Sequence, residues 1–110
     1  MRQGEIWYVS LDPVKGSEQA GFRPVVIISG NLMNEYLNTV ICCPLTTRIK
    51  NYHGNVVLKP DGVNKLKNAS EILTAQIRCI AKERLTRRIG SIGAEDIARI
   101  KNTLSDILKY

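Results

Sequence analysis

The sequence predicts an α+β protein, mainly β, in which a small barrel or strongly bent sheet precedes one C-terminal amphipathic helix. Over the first two-thirds of the chain, short runs rich in Val, Ile, Leu, Thr and Cys alternate with turn signals. The run Val25–Ile28 is apolar at every position, which indicates a central strand covered on both faces. After Ala94, by contrast, the apolar residues follow helical spacing.

Six segments are predicted as strands, and turn signals such as Asp12-Pro13 and Pro60-Asp61-Gly62 separate several of them. The segments are Ile6–Leu11, Pro24–Ser29, Thr39–Pro44, Asn55–Leu58, Ser70–Ile80 and Leu85–Gly90. Short strands at this spacing favour a barrel or a strongly bent sheet, because either one removes exposed strand edges.

The last segment, Ala94–Leu108, predicts an amphipathic helix that packs across the sheet. Glu95 and Asp96 lie in its first turn, where negative charge complements the helix dipole. Its apolar stripe consists of Ile97, Ile100, Leu104, Ile107 and Leu108. A second, short helix is predicted at Leu32–Leu37.

The length of 110 residues and the hydrophobic content of 44% fit one domain spanning residues 1–110. No apolar run reaches membrane-spanning length, and the segment MRQGEIWYV lacks the apolar region of a signal peptide, so we expect a cytoplasmic protein with no membrane contact. The net charge of +6 favours a polyanionic partner such as nucleic acid, although simple solubility would also explain it.

The cysteine and histidine content argues against disulfides and metal sites. Cys42, Cys43 and Cys79 form no CxxC pattern, and we expect buried or half-buried thiols that act as small hydrophobic groups. Since His53 is the only histidine and no Cys/His cluster exists, we predict no metal. The six aromatic residues are too few for an extensive base-stacking platform.

The segment DPVKGSEQAGFRP, from Asp12 to Pro24, predicts a polar lid over a site that handles phosphate. It is longer than a usual strand connection, and it delivers Arg23 to the first residues of a strand. Arg23 could bind a phosphate, or it could form a structural ion pair with Glu18 or Glu5. A second strand ends in Thr46-Thr47-Arg48, whose hydroxyls could satisfy a turn or grip a phosphodiester together with Arg23.

The residues that the chain lacks restrict the chemistry of such a site. A single histidine excludes a two-histidine acid–base pair within one subunit, and no carboxylate cluster suggests a two-metal nuclease. Metal-free attack by a ribose 2′-hydroxyl on its own phosphate remains possible. Arginine suits charge neutralisation in this reaction, since it stays protonated and binds two phosphate oxygens at once.

The segments GEIWYVSLDPVKGSEQAGFRPVVIIS and CCPLTTRIKNYHGNVVL, followed by Gln76-Ile77-Arg78, resemble the MazF/PemK toxins of type II toxin–antitoxin systems. The resemblance runs through nearly the entire chain, and GSEQAGxRP followed by PxTT is specific. It implies a small SH3-like barrel of the PemK/CcdB type with a C-terminal helix, assembled as a homodimer. It also implies a metal-independent, cofactor-free and sequence-specific endoribonuclease that cleaves single-stranded mRNA without the ribosome. The products would carry 2′,3′-cyclic phosphate and 5′-hydroxyl ends. An acidic C-terminal segment of a MazE-like antitoxin would neutralise it.

The resemblance also assigns roles to residues. By motif match, Arg23 and Thr46 correspond to the catalytic arginine and threonine, and Glu18 to a lid glutamate implicated in activity. Gln76 falls where the family contacts RNA. The other candidate RNA-contacting residues are Lys15, Gln19, Thr47, Arg48 and Arg78.

Two rival functions follow from the same pattern. A CcdB-like poison of DNA gyrase would share the barrel, but those toxins rely on a C-terminal Trp-Gly-Ile, whereas this chain ends in Leu108-Lys109-Tyr110. A non-catalytic RNA-binding module would share the basic surface without needing Arg23 and Thr46. We expect Lys50–Asn55 and Asp61–Asn68 to determine which RNA sequence is recognised.

Overall fold

The computed structural model describes residues 1–10 and 22–109. Of the predicted lid from Asp12 to Pro24, residues 12–21 lie outside these residues. The described strands are β1 (Glu5–Ser10), β2 (Phe22–Ile27), β3 (Thr39–Thr46), β4 (Val57–Leu58), β5 (Ser70–Ile72), β6 (Arg78–Ala81) and β7 (Leu85–Ser91). The helices are α1 (Asn31–Tyr36) and α2 (Ala94–Lys109), with short 3₁₀ turns at Thr74–Gln76 and Lys82–Arg84.

The strands form an antiparallel sheet in the order β4-β5-β3-β2-β1-β7, with β6 also paired to β3. Because β6 leaves β3 and continues through the 3₁₀ turn Lys82–Arg84 into β7, which pairs with β1, the sheet has to curl. This curled half-barrel with a C-terminal helix confirms the predicted fold class, a strongly bent sheet followed by an amphipathic helix.

The two faces of the sheet carry separate apolar clusters. One, here called the strand cluster, consists of Val9, Val25, Ile27, Val40, Cys42, Ile80 and Leu85. The other, here called the helix cluster, consists of Ile6, Val26, Cys43, Leu45, Val56, Leu58, Ile72, Ile92, Ile97 and Ile100. Neighbouring residues of β2 and β3 alternate between the two clusters, since successive side chains of a strand point to opposite faces. This arrangement confirms that the Val25–Ile28 run is covered on both faces.

The helix α2 uses only part of its predicted apolar stripe within the chain. Ile97 and Ile100 are buried in the helix cluster, whereas Ile107 and Leu108 are 43% and 77% exposed. Thr103 is also buried, and its hydroxyl donates a hydrogen bond to the carbonyl of Gly54. The helix therefore supports both the sheet and the loop that precedes β4.

The prediction of one continuous strand over Ser70–Ile80 is wrong. This segment forms β5, the 3₁₀ turn Thr74–Gln76 and β6, because β3 pairs with β5 at Leu45 and Thr46 but with β6 over residues 39–42. The turn spans the gap between the two pairings, and the backbone N–H groups of Gln76 and Ile77 donate to the carbonyls of Leu73 and Thr74. The short helix predicted at Leu32–Leu37 is confirmed as α1.

Candidate functional site

Arg23 is the second residue of β2, where it pairs with Val9 of β1. Its side chain is exposed, and its guanidinium forms no hydrogen bond or ion pair with residues 1–10 or 22–109. The alternative role in an ion pair with Glu5 is wrong, because Glu5 Oε2 lies 3.1 Å from Nε of Arg88. Glu18, the other proposed partner, lies outside the described residues. Arg23 thus has a fixed backbone and a charge with no partner among residues 1–10 and 22–109.

Thr46 is the last residue of β3 and lies on the same face as Arg23. The register of β2 and β3 pairs Val25 with Pro44, and extending it by two residues brings Arg23 opposite Thr46. Strand alternation assigns both residues to the face of the strand cluster. The two residues therefore lie beyond the last recorded pair of β2 and β3, at the same end of the two strands.

The hydroxyl of Thr46 has one unused hydrogen-bonding function. Its Oγ1 accepts a hydrogen bond of 3.1 Å from the backbone N–H of Arg48. No acceptor within the described part of the chain takes the hydroxyl proton. Since a hydroxyl is both a donor and an acceptor, Thr46 can donate this proton to a ligand oxygen while the backbone of Arg48 fixes its position.

Apart from Arg78, the other predicted RNA-contacting residues divide into three groups. Thr47 and Arg48 follow Thr46 directly and are exposed, so they lie at the same end of the sheet. Gln76 is exposed in the 3₁₀ turn between β5 and β6. Lys15 and Gln19, like Glu18, lie outside the described residues.

Arg78 lies on the same face of the sheet as Arg23 and Thr46, but at a different position along β3. It is exposed and pairs with Cys42 of β3. Cys42 precedes Thr46 by four residues, which corresponds to about 13 Å along a strand at roughly 3.3 Å per residue. Arg78 would therefore contact a part of an extended ligand distant from the group held by Thr46.

The buried cysteines of β3 are inert. Burial raises the pKa of Cys42 to about 11, although the charge of Arg78 partly offsets the effect. Burial also raises the pKa of Cys43 to about 12. Both thiols are protonated at neutral pH and do not serve as nucleophiles. This agrees with their predicted role as small hydrophobic groups. The same prediction is wrong for Cys79, which is exposed because its side chain points to the opposite face of β6 from the buried Ile80.

Two arginines of β7, Arg87 and Arg88, have partners inside the protein. Arg87 lies over the ring of Tyr8, with its guanidinium carbon 5.1 Å from the ring centroid. Arg88 forms the ion pair with Glu5, whose Oε1 also accepts a hydrogen bond from the indole N–H of Trp7. These contacts give Arg87 and Arg88 a structural role, since both connect β7 to β1.

The sequence analysis missed one residue at the site, Glu71. It pairs with Thr46 across β5 and β3, and its side chain is fully buried. Burial alone would raise its pKa, but a hydrogen bond from Asn55 and three from backbone N–H groups outweigh that effect and hold the pKa below its usual range. The one available signal was a charged residue between Ser70 and Ile72 in an apolar segment.

Residues 1–10 and 22–109 contain no group of three or more His, Cys, Asp or Glu side chains placed to hold a metal ion. Within the same residues, no helix has the length and apolar character needed to cross a membrane.

Sequence comparison matches residues 2–108 to the family described as the PemK-like, MazF-like toxin of type II toxin–antitoxin systems. The chain is 36% identical over 110 residues to endoribonuclease MazF of Staphylococcus saprophyticus, covering 94% of this chain and 88% of that protein. It is 35% identical over 109 residues to endoribonuclease MazF9 of Mycobacterium tuberculosis, covering 94% of this chain and 92% of that protein.

Two solved structures share the fold. The crystal structure of MazF (Form-I) from Deinococcus radiodurans has a TM-score of 0.79 at 24% identity and covers 100% of this chain and 97% of its own. A chain of the MazE-MazF (Form-II) structure from the same organism has a TM-score of 0.81 at 22% identity. That match covers 99% of this chain and 96% of the other.

Proposed function

The chain belongs to the family of PemK-like, MazF-like toxins of type II toxin–antitoxin systems, and we infer that it is a toxin of this kind that acts as an endoribonuclease. Two relatives at least 35% identical over nearly the whole chain are endoribonucleases by name. The observation that carries the site assignment is the placement of Arg23 and Thr46 on adjacent strand ends and on one face. A gyrase poison is not favoured by these relatives.

The proposed reaction is cleavage of single-stranded RNA by its own 2′-hydroxyl. The 2′-oxygen loses its proton and attacks the adjacent phosphorus, and the bond from phosphorus to the 5′-oxygen breaks. The leaving oxygen gains a proton, so the products carry a 2′,3′-cyclic phosphate and a 5′-hydroxyl. The protein has to align the ribose with the phosphate and stabilise the charge of the pentavalent transition state.

Arg23 and Thr46 supply this stabilisation. The guanidinium of Arg23 stays protonated and has no competing partner among the described residues, so it can bind two phosphate oxygens. The hydroxyl of Thr46 can donate its proton to one of them, because no acceptor among the described residues takes it and the N–H of Arg48 holds the oxygen in place. Together they orient the scissile phosphate and neutralise it.

The remaining roles are proposed from the family resemblance. Glu18 assists the proton transfers or closes the lid. Further contacts to the RNA come from Lys15, Gln19, Thr47, Arg48, Gln76 and Arg78. The proposed assembly is a homodimer in the cytoplasm, which an acidic segment of an antitoxin inhibits. The net charge of +6 supports both an RNA substrate and an acidic inhibitor.

The first experiment is the digestion of a long defined RNA by the wild type and Arg23→Ala, with mapping of the cut ends. We expect Arg23→Ala to reduce kcat by at least about 100-fold, the usual effect of removing a donor to a developing charge. Its melting temperature should be unchanged, because the guanidinium has no described partner. Arg99→Ala is the matched control, since Arg99 is an exposed arginine on α2.

Chelators should leave cleavage unchanged, and the 5′ ends of the products should be hydroxyls. Inhibition by EDTA, or full activity in Arg23→Ala, would contradict the proposal. A wild type that binds RNA without cutting it would favour the non-catalytic module instead.

A further inference from the structure

The loop Lys50–Asn55 is held by one buried carboxylate. Oε1 of Glu71 accepts hydrogen bonds from the backbone N–H groups of Lys50 and Asn51, at 2.8 and 2.9 Å. Oε2 accepts from the backbone N–H of Tyr52 at 3.0 Å and from Nδ2 of Asn55 at 2.8 Å. Four donors thus converge on a single side chain with no exposed surface, and three of them belong to consecutive residues of the loop.

Glu71 connects this loop to the proposed catalytic pair. It lies opposite Thr46 across β5 and β3, and Thr46 lies opposite Arg23 when the β2–β3 register is extended. Ile72 and its partner Leu45 belong to the helix cluster, so strand alternation assigns Glu71 to the other face, that of Thr46. One side chain therefore separates the loop backbone from the threonine that would hold the scissile phosphate.

A second set of contacts fixes the far end of the loop. The hydroxyl of Thr103 on α2 donates to the carbonyl of Gly54, and the backbone N–H of Asn55 donates to the carbonyl of Tyr52 at 3.0 Å. Asn51 has a φ of 53° and Gly54 a φ of 86°, so the loop adopts a specific turn rather than an extended path. Both ends of the loop are fixed to the body of the protein.

While the loop backbone is fixed, the side chain of Tyr52 is 61% exposed. Most of this side chain is therefore accessible to a ligand. Proteins bind single-stranded RNA by stacking unpaired bases on aromatic side chains next to cations that contact the phosphates. Tyr52 lies four residues after Arg48, so the ring and a cation occur on one short segment.

We propose that Glu71 is a positioning residue that fixes the loop Lys50–Asn55, and that this loop presents Tyr52 to stack on a base of the RNA next to the bound phosphate. The proposal rests on the endoribonuclease function argued above and adds a base-binding residue to that site. It requires one stacking ring, which is compatible with the scarcity of aromatic residues in the chain.

The test measures binding separately from cleavage. The probe is a short single-stranded oligoribonucleotide centred on the mapped cut, with a 2′-deoxy sugar at the attacking position so that it binds without being cut. Tyr52→Ala should weaken binding about tenfold, the effect expected from losing one base–aromatic stack. Tyr52→Phe, which retains the ring, should restore most of the affinity. Tyr36→Ala is the matched control, because Tyr36 is 72% exposed on α1.

Glu71→Gln replaces one carboxylate oxygen with an amide NH₂ that faces two hydrogen-bond donors. The loop should lose its fixed position, so binding should weaken and KM rise by a factor similar to that of Tyr52→Ala. The value of kcat at saturating RNA should fall much less. The double variant should bind no more weakly than Glu71→Gln alone, because a displaced loop no longer presents the ring.

Unchanged binding by Tyr52→Ala in a protein whose wild type cuts RNA would overturn the proposal. Additive losses for Glu71→Gln and Tyr52→Ala would overturn the coupling between them. If Glu71→Gln does not fold, Asn55→Ala replaces it in the same cycle, since it removes one of the four hydrogen bonds and keeps the carboxylate. A wild type that cuts no RNA, so that no cut can be mapped, would instead contradict the nuclease.

Discussion

Among the individual residues, Glu71 shows how a charge can be kept in the interior of a small protein. A buried carboxylate without partners would take up a proton, because transfer out of water penalises the ionised form. Here four N–H donors surround its two oxygens at 2.8–3.0 Å, so these hydrogen bonds stabilise the ionised form more than the protonated form. The same hydrogen bonds hold a loop that would otherwise leave three consecutive backbone N–H groups unpaired.

This arrangement predicts an acid-sensitive contribution to stability. The pKa of Glu71 lies below its usual range in the folded protein, so its contribution is fully present above the pKa of the unfolded chain, about 4.3. It is lost as the pH falls through the folded-state pKa. We expect the free energy of unfolding, measured by urea denaturation from pH 7 to pH 3, to decline below about pH 4.5.

Glu71→Gln should remove most of this decline and lower the melting temperature at pH 7 by roughly 5–10 °C. Glu5, whose pKa is also lowered, would account for a smaller residual slope. An identical pH dependence in Glu71→Gln and the wild type would show that the carboxylate is not held in its ionised form.

Arg23 and Thr46 were proposed from the sequence whereas Glu71 was not, and the reason is physical. The first two lie at strand ends beside turn signals, where a polar side chain is conspicuous against an apolar run. Glu71 lies inside a strand, and its donors come from a loop about 20 residues earlier in the chain. Only the pairing of β5 with β3 brings them together.

Among the elements, β7 and the segment before β5 meet at a contact that only glycine allows. Gly90 of β7 pairs with Ile6, and the backbone of Val63 and Asn64 passes over it. A Cβ atom at Gly90 would lie 2.2 Å from the carbonyl oxygen of Asn64 and 2.7 Å from that of Val63. The side chain of Asn64 fixes this segment, because its Nδ2 donates to the carbonyl of Lys59 at 2.8 Å.

Gly90→Ala should therefore destabilise the protein on the order of 1–3 kcal/mol, the usual effect of overpacking a site that cannot relax. Gly93→Ala is the matched control, since no atom lies within 4 Å of a Cβ built there. Urea denaturation of both variants gives the comparison. Equal stabilities would show that the segment 63–64 moves away from β7 without penalty.

The elements also show where local sequence patterns stop being informative. The helical spacing after Ala94 correctly predicted α2, because amphipathic periodicity is a local property. The segment Ser70–Ile80 has strand-forming composition throughout, and no Gly or Pro marks its interruption. The interruption arises because β3 pairs with two strands in succession, which depends on the three-dimensional register.

At the scale of the whole molecule, the two faces of the sheet have different roles, one in stability and one in the proposed RNA binding. The helix α2 and the helix cluster stabilise one face, and the other carries Arg23, Thr46 and Arg78. The exposed apolar residues Ile107 and Leu108 at the end of α2 are available for contacts with another chain, such as the proposed second subunit or the proposed antitoxin. An RNA strand that contacts all three residues would span about 13 Å, the distance along β3 from Thr46 to Cys42, the strand partner of Arg78.

This geometry predicts how RNA binding depends on salt. Each phosphate neutralised by a cation releases counterions, and for single strands the logarithm of the binding constant falls with the logarithm of salt concentration by about 0.7 per contact. Arg78→Ala should therefore reduce this slope by about 0.7 with the 2′-deoxy probe, whereas Arg99→Ala on α2 should leave it unchanged. Arg78 is exposed on the proposed RNA face, and Arg99 belongs to the helix on the other face. An unchanged slope in Arg78→Ala would mean that the RNA leaves the sheet before it reaches β6. Equal changes in both variants would mean that the RNA responds to the net charge of the protein and does not follow a defined path over its surface.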